Sequence, residues 1–297
     1  MNAPSIAVEY PNKSYGEILK FLFYFLITIF FLFSPLSYAE GNDLNKMPWA
    51  RGGLGIGFFI ASLDTDLRFG TGVGIEIDAE KLLGMNDTES VFRLDAFWRF
   101  SKNQKHRFNI NWFSLNRKGS KTISRDIIIE GPEEQEIIIS AGSKVESQLG
   151  LDLYQGVYSY SFILDERLDI AVTTGLYVAP IEMQLNAEGI FEGESRESFT
   201  APLPTFGLRT DISITPKWFL RGRTEVFYLK YSNFTGYILS ANGAIEYQPW
   251  KRIGIGTGFD ILHLLIEADG EEYPGVDLKG EIEFQYIGLL IFAKVYF

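Results

Sequence analysis

The chain has 297 residues, no cysteine and two histidines, His106 and His263, so disulfides, thiolate metal sites, a thiol nucleophile and a histidine-rich zinc cluster are excluded. With 38 acidic against 27 basic residues and a net charge of -11, it lacks the clustered Lys and Arg that neutralising phosphates requires, which excludes a nucleic-acid partner. A hydrophobic share of 46% and an aromatic share of 15% supply enough apolar surface for one large folded unit.

The first local signal is residues 18–33, ILKFLFYFLITIFFLF, broken by Ser34 and Pro35 and followed by the small-x-small run Ser37, Tyr38, Ala39. It reads as a signal peptide over residues 1–39 with cleavage after Ala39, leaving residues 40–297 as the mature chain. The alternative, an N-terminal anchor, asks for a span of about 20 residues, longer than this core.

Beyond Glu40 the recurring feature is alternation of apolar and polar side chains in segments of about ten residues, the period of strands with one face in lipid and the other in a lumen. In chain order these cover 53–61, 91–100, 107–115, 148–162, 168–185, 203–214, 218–231, 235–248, 253–268 and 278–297. In the second, Phe92, Leu94, Ala96 and Trp98 alternate with Arg93, Asp95, Phe97 and Arg99. Residues 67–80 read as an outer extension or hairpin, and 123–139, centred on IIIEGPEEQEIII, as a second hairpin above the membrane, turned by Gly131 and Pro132. The glycine runs 52–57 and 254–258 alternate inside strands, as small inward residues beside larger neighbours, and no Lys-Ser or Lys-Thr follows to make a phosphate loop.

Connections 101–106, 164–167, 215–217 and 248–252 are short, whereas 117–147, 188–200 and 269–277 are long or acidic. Short turns belong to the periplasmic end, so the acidic loops face outside. Parity with both termini in the periplasm gives a closed, all-β, antiparallel transmembrane barrel of about ten strands, between eight and twelve. Two phase changes, near Pro180 and near Gly288, predict bulges or strands leaving the membrane. Aromatics gather near strand ends: Trp98, Phe100, Tyr158, Tyr160, Trp218, Tyr247 and Trp250 on the periplasmic side, Tyr228, Tyr231 and Tyr237 on the outer side.

The last strand alternates Leu289, Ile291, Ala293 and Val295 up to Tyr296 and the terminal Phe297. Here the sequence resembles small single-chain Gram-negative outer-membrane barrel proteins, whose final strand and terminal Phe form the assembly signal read by the barrel-assembly machinery. The resemblance spans residues 40–297 and implies an outer-membrane location among lipid and lipopolysaccharide. It names no substrate and no cofactor.

The inward set taken from the alternation carries six cations, Arg93, Arg99, Arg209, Arg221, Arg223 and Lys294, and seven acids, Asp95, Asp152, Asp169, Asp211, Glu225, Glu246 and Asp260, with Asn109, Asn111 and Asn242 among them. A near-neutral interior favours paired charges filling the barrel over the one-signed ring of a selective pore. The expectation is a non-enzymatic monomer with a structural or surface-interaction role. Its alternatives are a narrow passive channel, and a hydrolase with its site at the outer rim around Asp260, His263 and Glu267. Strict alternation points His263 toward lipid, against a general-base role, and His106, in the short turn 102–107, reads as a solvated turn residue.

Overall fold

The computed structural model describes residues 47–69, 76–124, 126–130, 136–187, 195–231, 234–269 and 279–297. The proposed signal peptide, the turn at Gly131 and Pro132, the acidic stretch 270–277 and residues 188–194 lie outside them. The strands are β1 (Gly52–Phe69), β2 (Glu76–Asp78), β3 (Thr88–Arg99), β4 (His106–Thr122), β5 (Ile127–Glu130), β6 (Glu136–Ile139), β7 (Lys144–Leu164), β8 (Leu168–Ala187), β9 (Ser195–Thr215), β10 (Trp218–Tyr231), β11 (Phe234–Trp250), β12 (Ile253–Asp269) and β13 (Lys279–Tyr296).

Ten of them, β1, β3, β4 and β7 to β13, pair antiparallel in that order, and β13 pairs back onto β1 from Gly53↔Tyr296 to Phe69↔Gly280, closing a barrel with no free edge. The strand number is even because β2 does not cross: it folds back on the end of β1 at Asp66↔Asp78. Hairpin β5–β6 forms a separate two-stranded sheet with Ile127 opposite Ile139. Connection 117–147 is not one long loop, since β4 and β7 stay paired out to Thr122↔Lys144. Gly52 and Phe297 exchange backbone hydrogen bonds of 2.8 and 3.0 Å at the end that carries the short turns.

Every wall strand contributes exposed apolar side chains to one outward belt, among them Ile56, Leu94, Ile110, Phe162, Val172, Phe206, Val226, Ile245, Ile255 and Ile291. A continuous apolar surface of this kind does not persist in water, whereas a lipid-facing band of roughly 25 Å has this form. Trp98, Trp218 and Trp250 lie exposed at the turn-bearing edge of the belt, with the Trp218 ring 4.8 Å from that of Tyr247.

Above the belt the polarity code inverts. On β1 the outward Leu54, Ile56, Phe58 and Ile60 give way to outward Ser62 and Asp64, while the inward positions become Phe59, Ala61, Leu63 and Leu67. On β8 the same inward parity runs from Asp169 to Met183, and its ladder with β9 keeps one register through Pro180↔Thr200. The phase change near Pro180 is therefore not a bulge. Parity is constant, and the solvent outside the wall changes from hydrocarbon to water. Gly288 behaves likewise, since β13 keeps one register against both neighbours. Register shifts fall instead at the turn-bearing end, at Ser161/Ile163, Trp218/Phe219 and Tyr247/Trp250.

The upper interior is consequently an apolar core. The Phe59 ring stacks 5.3 Å from Tyr286 and edges Phe113 at 5.4 Å, with Leu264, Ile266 and Phe284 buried around them. Each such side chain contributes roughly 1.5–3 kcal/mol when fully buried. The wall beside this core is partly built by a segment with no strand pattern. β3 begins only at Thr88, and residues 79–87 fill the space between the upper ends of β1 and β4. Leu82, Leu83 and Met85 pack into the core. Arg117, fully buried, holds the segment by donating to Glu80 at 2.6 Å and to the Asn86 carbonyl, with a third bond to Thr65 Oγ1 at 2.8 Å.

Candidate functional site: the lumen

Below the apolar core, inward positions on β3, β4 and β7 to β13 converge into one charged network. Small inward residues make the room: a Cβ on Gly55 would lie 2.6 Å from the Asp95 carboxylate, and one on Gly53 2.6 Å from the Phe97 ring.

The centre of the network is Asp169, fully buried, which accepts a bidentate pair from Arg209 at 2.8 and 2.9 Å, an Arg99 bond at 2.5 Å and the Ser161 hydroxyl at 2.6 Å. Arg209 also bridges to Asp211, which takes Arg107 at 3.2 Å and Arg221 at 3.6 Å. Arg221 donates to Glu246 at 2.7 Å, and the Tyr296 hydroxyl donates to the same carboxylate at 2.5 Å. On the other side, Arg93 pairs with Asp260, which also accepts from Tyr286 at 2.6 Å, and Lys294 lies 3.3 Å from Asp95. Glu225 accepts from Gln155 and from Tyr177 at 3.0 Å, with Arg223 Nε 3.6 Å away. Every carboxylate here has a cationic or hydroxyl partner, the condition under which buried charge is tolerated.

Twelve of the thirteen charged residues read as inward lie in this network, and Asp152 does not. It shares the outward parity of Tyr154 and Tyr158, because on β7 the inward positions are Leu151, Leu153 and Gln155. The alternation misled here because Asp152 sits where the code inverts. Arg107 was missed: it opens a strand beside a turn, and only its position between Phe97, 4.0 Å below its guanidinium, and Asp211 reveals its role. Tyr296 belongs to the lumen as well as to the terminal strand, while Leu289, Ile291, Ala293, Val295 and Phe297 face outward.

Beneath the network, Trp49 is buried against Leu164 and Phe219, and its indole donates to the Asp165 carbonyl at 2.6 Å. Asp165 lies in the β7–β8 turn and Phe219 at the foot of β10, so the segment leading into β1 passes under the lumen.

The rim set Asp260, His263 and Glu267 does not converge. Asp260 is inside, bound to Arg93. His263 and Glu267 share the outward parity, His263 meeting Glu283 at 2.8 Å and Tyr237, and Glu267 meeting Arg68 at 3.1 Å. These pairs sit on the outer wall above the belt, in a polar environment, and not against lipid. His106 is no free turn residue either: its Nδ1 lies 2.7 Å from the Tyr158 hydroxyl within the aromatic edge. Among the described residues, no group of His, Asp and Glu is arranged to hold a metal ion.

A closed ten-stranded barrel, apolar outside and charged within, has the fold of outer-membrane barrels. No family model and no curated protein matches the chain. Among solved structures it is similar to the outer membrane protease OmpT from Escherichia coli, with a TM-score of 0.54 at 8% identity over 89% of this chain and 99% of that one. The translocator domain of the autotransporter NalP from Neisseria meningitidis gives a TM-score of 0.39 at 8% identity, covering 93% of this chain and 96% of that one. The first likeness is one of fold, and the second adds nothing to it.

Proposed function

We propose that this chain is a non-enzymatic, monomeric protein of the Gram-negative outer membrane with a structural or surface-interaction role, and that it conducts no solute. The observation that carries this reading is the Phe59–Phe113–Tyr286 core, which closes the upper interior above the ion-pair network. A channel needs a continuous water path, and the apolar core interrupts one. The belt supports a place among lipid and lipopolysaccharide, and the alternating last strand ending in Phe297 supports insertion by the barrel-assembly machinery.

With the interior closed, the surface available to a partner is the end away from the short turns. There β5–β6 stands apart from the barrel sheet, with the sequences IIIE and EIII. An isolated hairpin of this size is marginal in water, which is consistent with a segment that gains stability on a partner. Deleting residues 124–142 removes it and leaves the pair Ile123–Ser143 at the end of the β4–β7 ladder. The deletion is expected to keep heat-modifiable gel migration and to abolish adhesion of protein-bearing cells to immobilised matrix proteins. Unchanged adhesion would remove the surface-interaction reading, and absence of any heat-dependent shift in the intact chain would remove the barrel.

A further inference from the structure

Within the charged half of the lumen is a cavity of about 80 Å³, bordered by Arg93, Arg107, Arg209, Arg221, Arg223 and Lys294 but by only three carboxylates, Asp95, Asp211 and Asp260. The other carboxylates of the network, Asp169, Glu225 and Glu246, are not among its lining residues. The network as a whole is nearly balanced, and the wall of this cavity is not: six cations face three anions.

We propose that this cavity is a binding site for a small oxyanion of the phosphate or sulfate class. The space is several times the roughly 10–15 Å³ that one water needs. The donors are mostly guanidiniums, whose planar forks match tetrahedral oxyanions better than spherical halides. Three of them retain donor capacity. Among the described residues, the Nε of Arg107, Arg209 and Arg223 have no hydrogen-bond partner, that of Arg223 lying 3.6 Å from Glu225, and each guanidinium is held in place from elsewhere, Arg107 by the Phe97 ring, Arg209 by Asp169 at 2.8 Å and Arg223 by Gln155 at 3.1 Å. Each of these cations has a carboxylate partner, but half of those partners stand behind the wall, so the space itself is bordered by more positive than negative charge, which in a low-dielectric interior favours an anion. The apolar core closes the lumen above, which leaves the turn-bearing end, past Trp49, as the way in.

The test uses the full chain refolded in detergent, titrated at constant ionic strength with sodium sulfate or phosphate against sodium chloride, and read by calorimetry and by the thermal unfolding midpoint. The expected result is saturable one-site binding of the oxyanion, with the midpoint raised by roughly 3–6 °C at concentrations a hundredfold above the dissociation constant. Arg107→Gln and Arg223→Gln should each weaken binding at least about tenfold, the size of one charge-assisted contact, while Lys118→Gln on the outer wall leaves it unchanged. Equal responses to sulfate and chloride, or no saturable heat in the wild-type protein, would overturn the site. So would equal affinity in all three variants. If the arginine variants do not refold, the wild-type comparison of sulfate with chloride decides the question alone.

Discussion

Arg209 stands between Asp169 and Asp211, so its removal would strand two buried carboxylates at once. Breaking one buried pair costs about 3–5 kcal/mol, and Arg209→Ala is expected to lose at least that much in urea-induced unfolding from lipid vesicles. A loss below about 1 kcal/mol would mean that water reaches the network freely. Tyr296 and Phe297, adjacent in sequence, are expected to separate in effect. Tyr296→Phe removes the bond to Glu246 and should cost about 1–3 kcal/mol of stability while leaving the insertion rate intact. Deleting Phe297 should slow insertion and leave the stability of the assembled barrel almost unchanged. Insertion kinetics and equilibrium unfolding of both variants, measured together, check the division.

Among the elements, the apolar core packs the upper strands together where they no longer contact hydrocarbon. Phe59→Ala deletes a ring that is 1% exposed and is expected to cost about 3–5 kcal/mol. The segment 79–87 depends on Gly119, where a Cβ would lie 2.5 Å from the Leu83 carbonyl oxygen and 2.8 Å from Ser147 Oγ. Gly119→Val should therefore dislodge this segment and admit protease cleavage within 80–86 while the β-sheet circular dichroism signal persists; uncut protein would contradict its role as part of the wall. This segment was not legible in the sequence, because it is bound to the wall by Arg117 and by buried Leu82 and Leu83 and carries no alternation of its own. The strands were legible for the opposite reason. Where Phe92, Leu94 and Trp98 face lipid, a period of two leaves one consistent assignment, and the ten segments read from it correspond to the ten wall strands.

For the whole molecule, the barrel is two cylinders end to end, one inside out relative to the other. Sequence alternation gives the period of a strand but not the solvent on each side. That is why Asp152 reads as a lumen residue, and why the phase change near Pro180 reads equally as a bulge or as a strand leaving the membrane; the constant register leaves the second. Charges deep in the belt were assigned correctly, since an unpaired Asp169 or Arg209 facing hydrocarbon is prohibitively unfavourable. The oxyanion cavity was not foreseeable, because it arises from which carboxylates stand behind the arginines and which beside them.

Single-channel recording in a planar lipid bilayer shows directly whether the interior is closed. Purified, heat-modifiable protein is expected to insert without discrete conductance steps, in chloride and in sulfate alike. Reproducible unitary steps from the intact chain, with an ion preference altered by Arg221→Glu or Arg223→Glu, would contradict it and would mean that the Phe59–Tyr286 core opens.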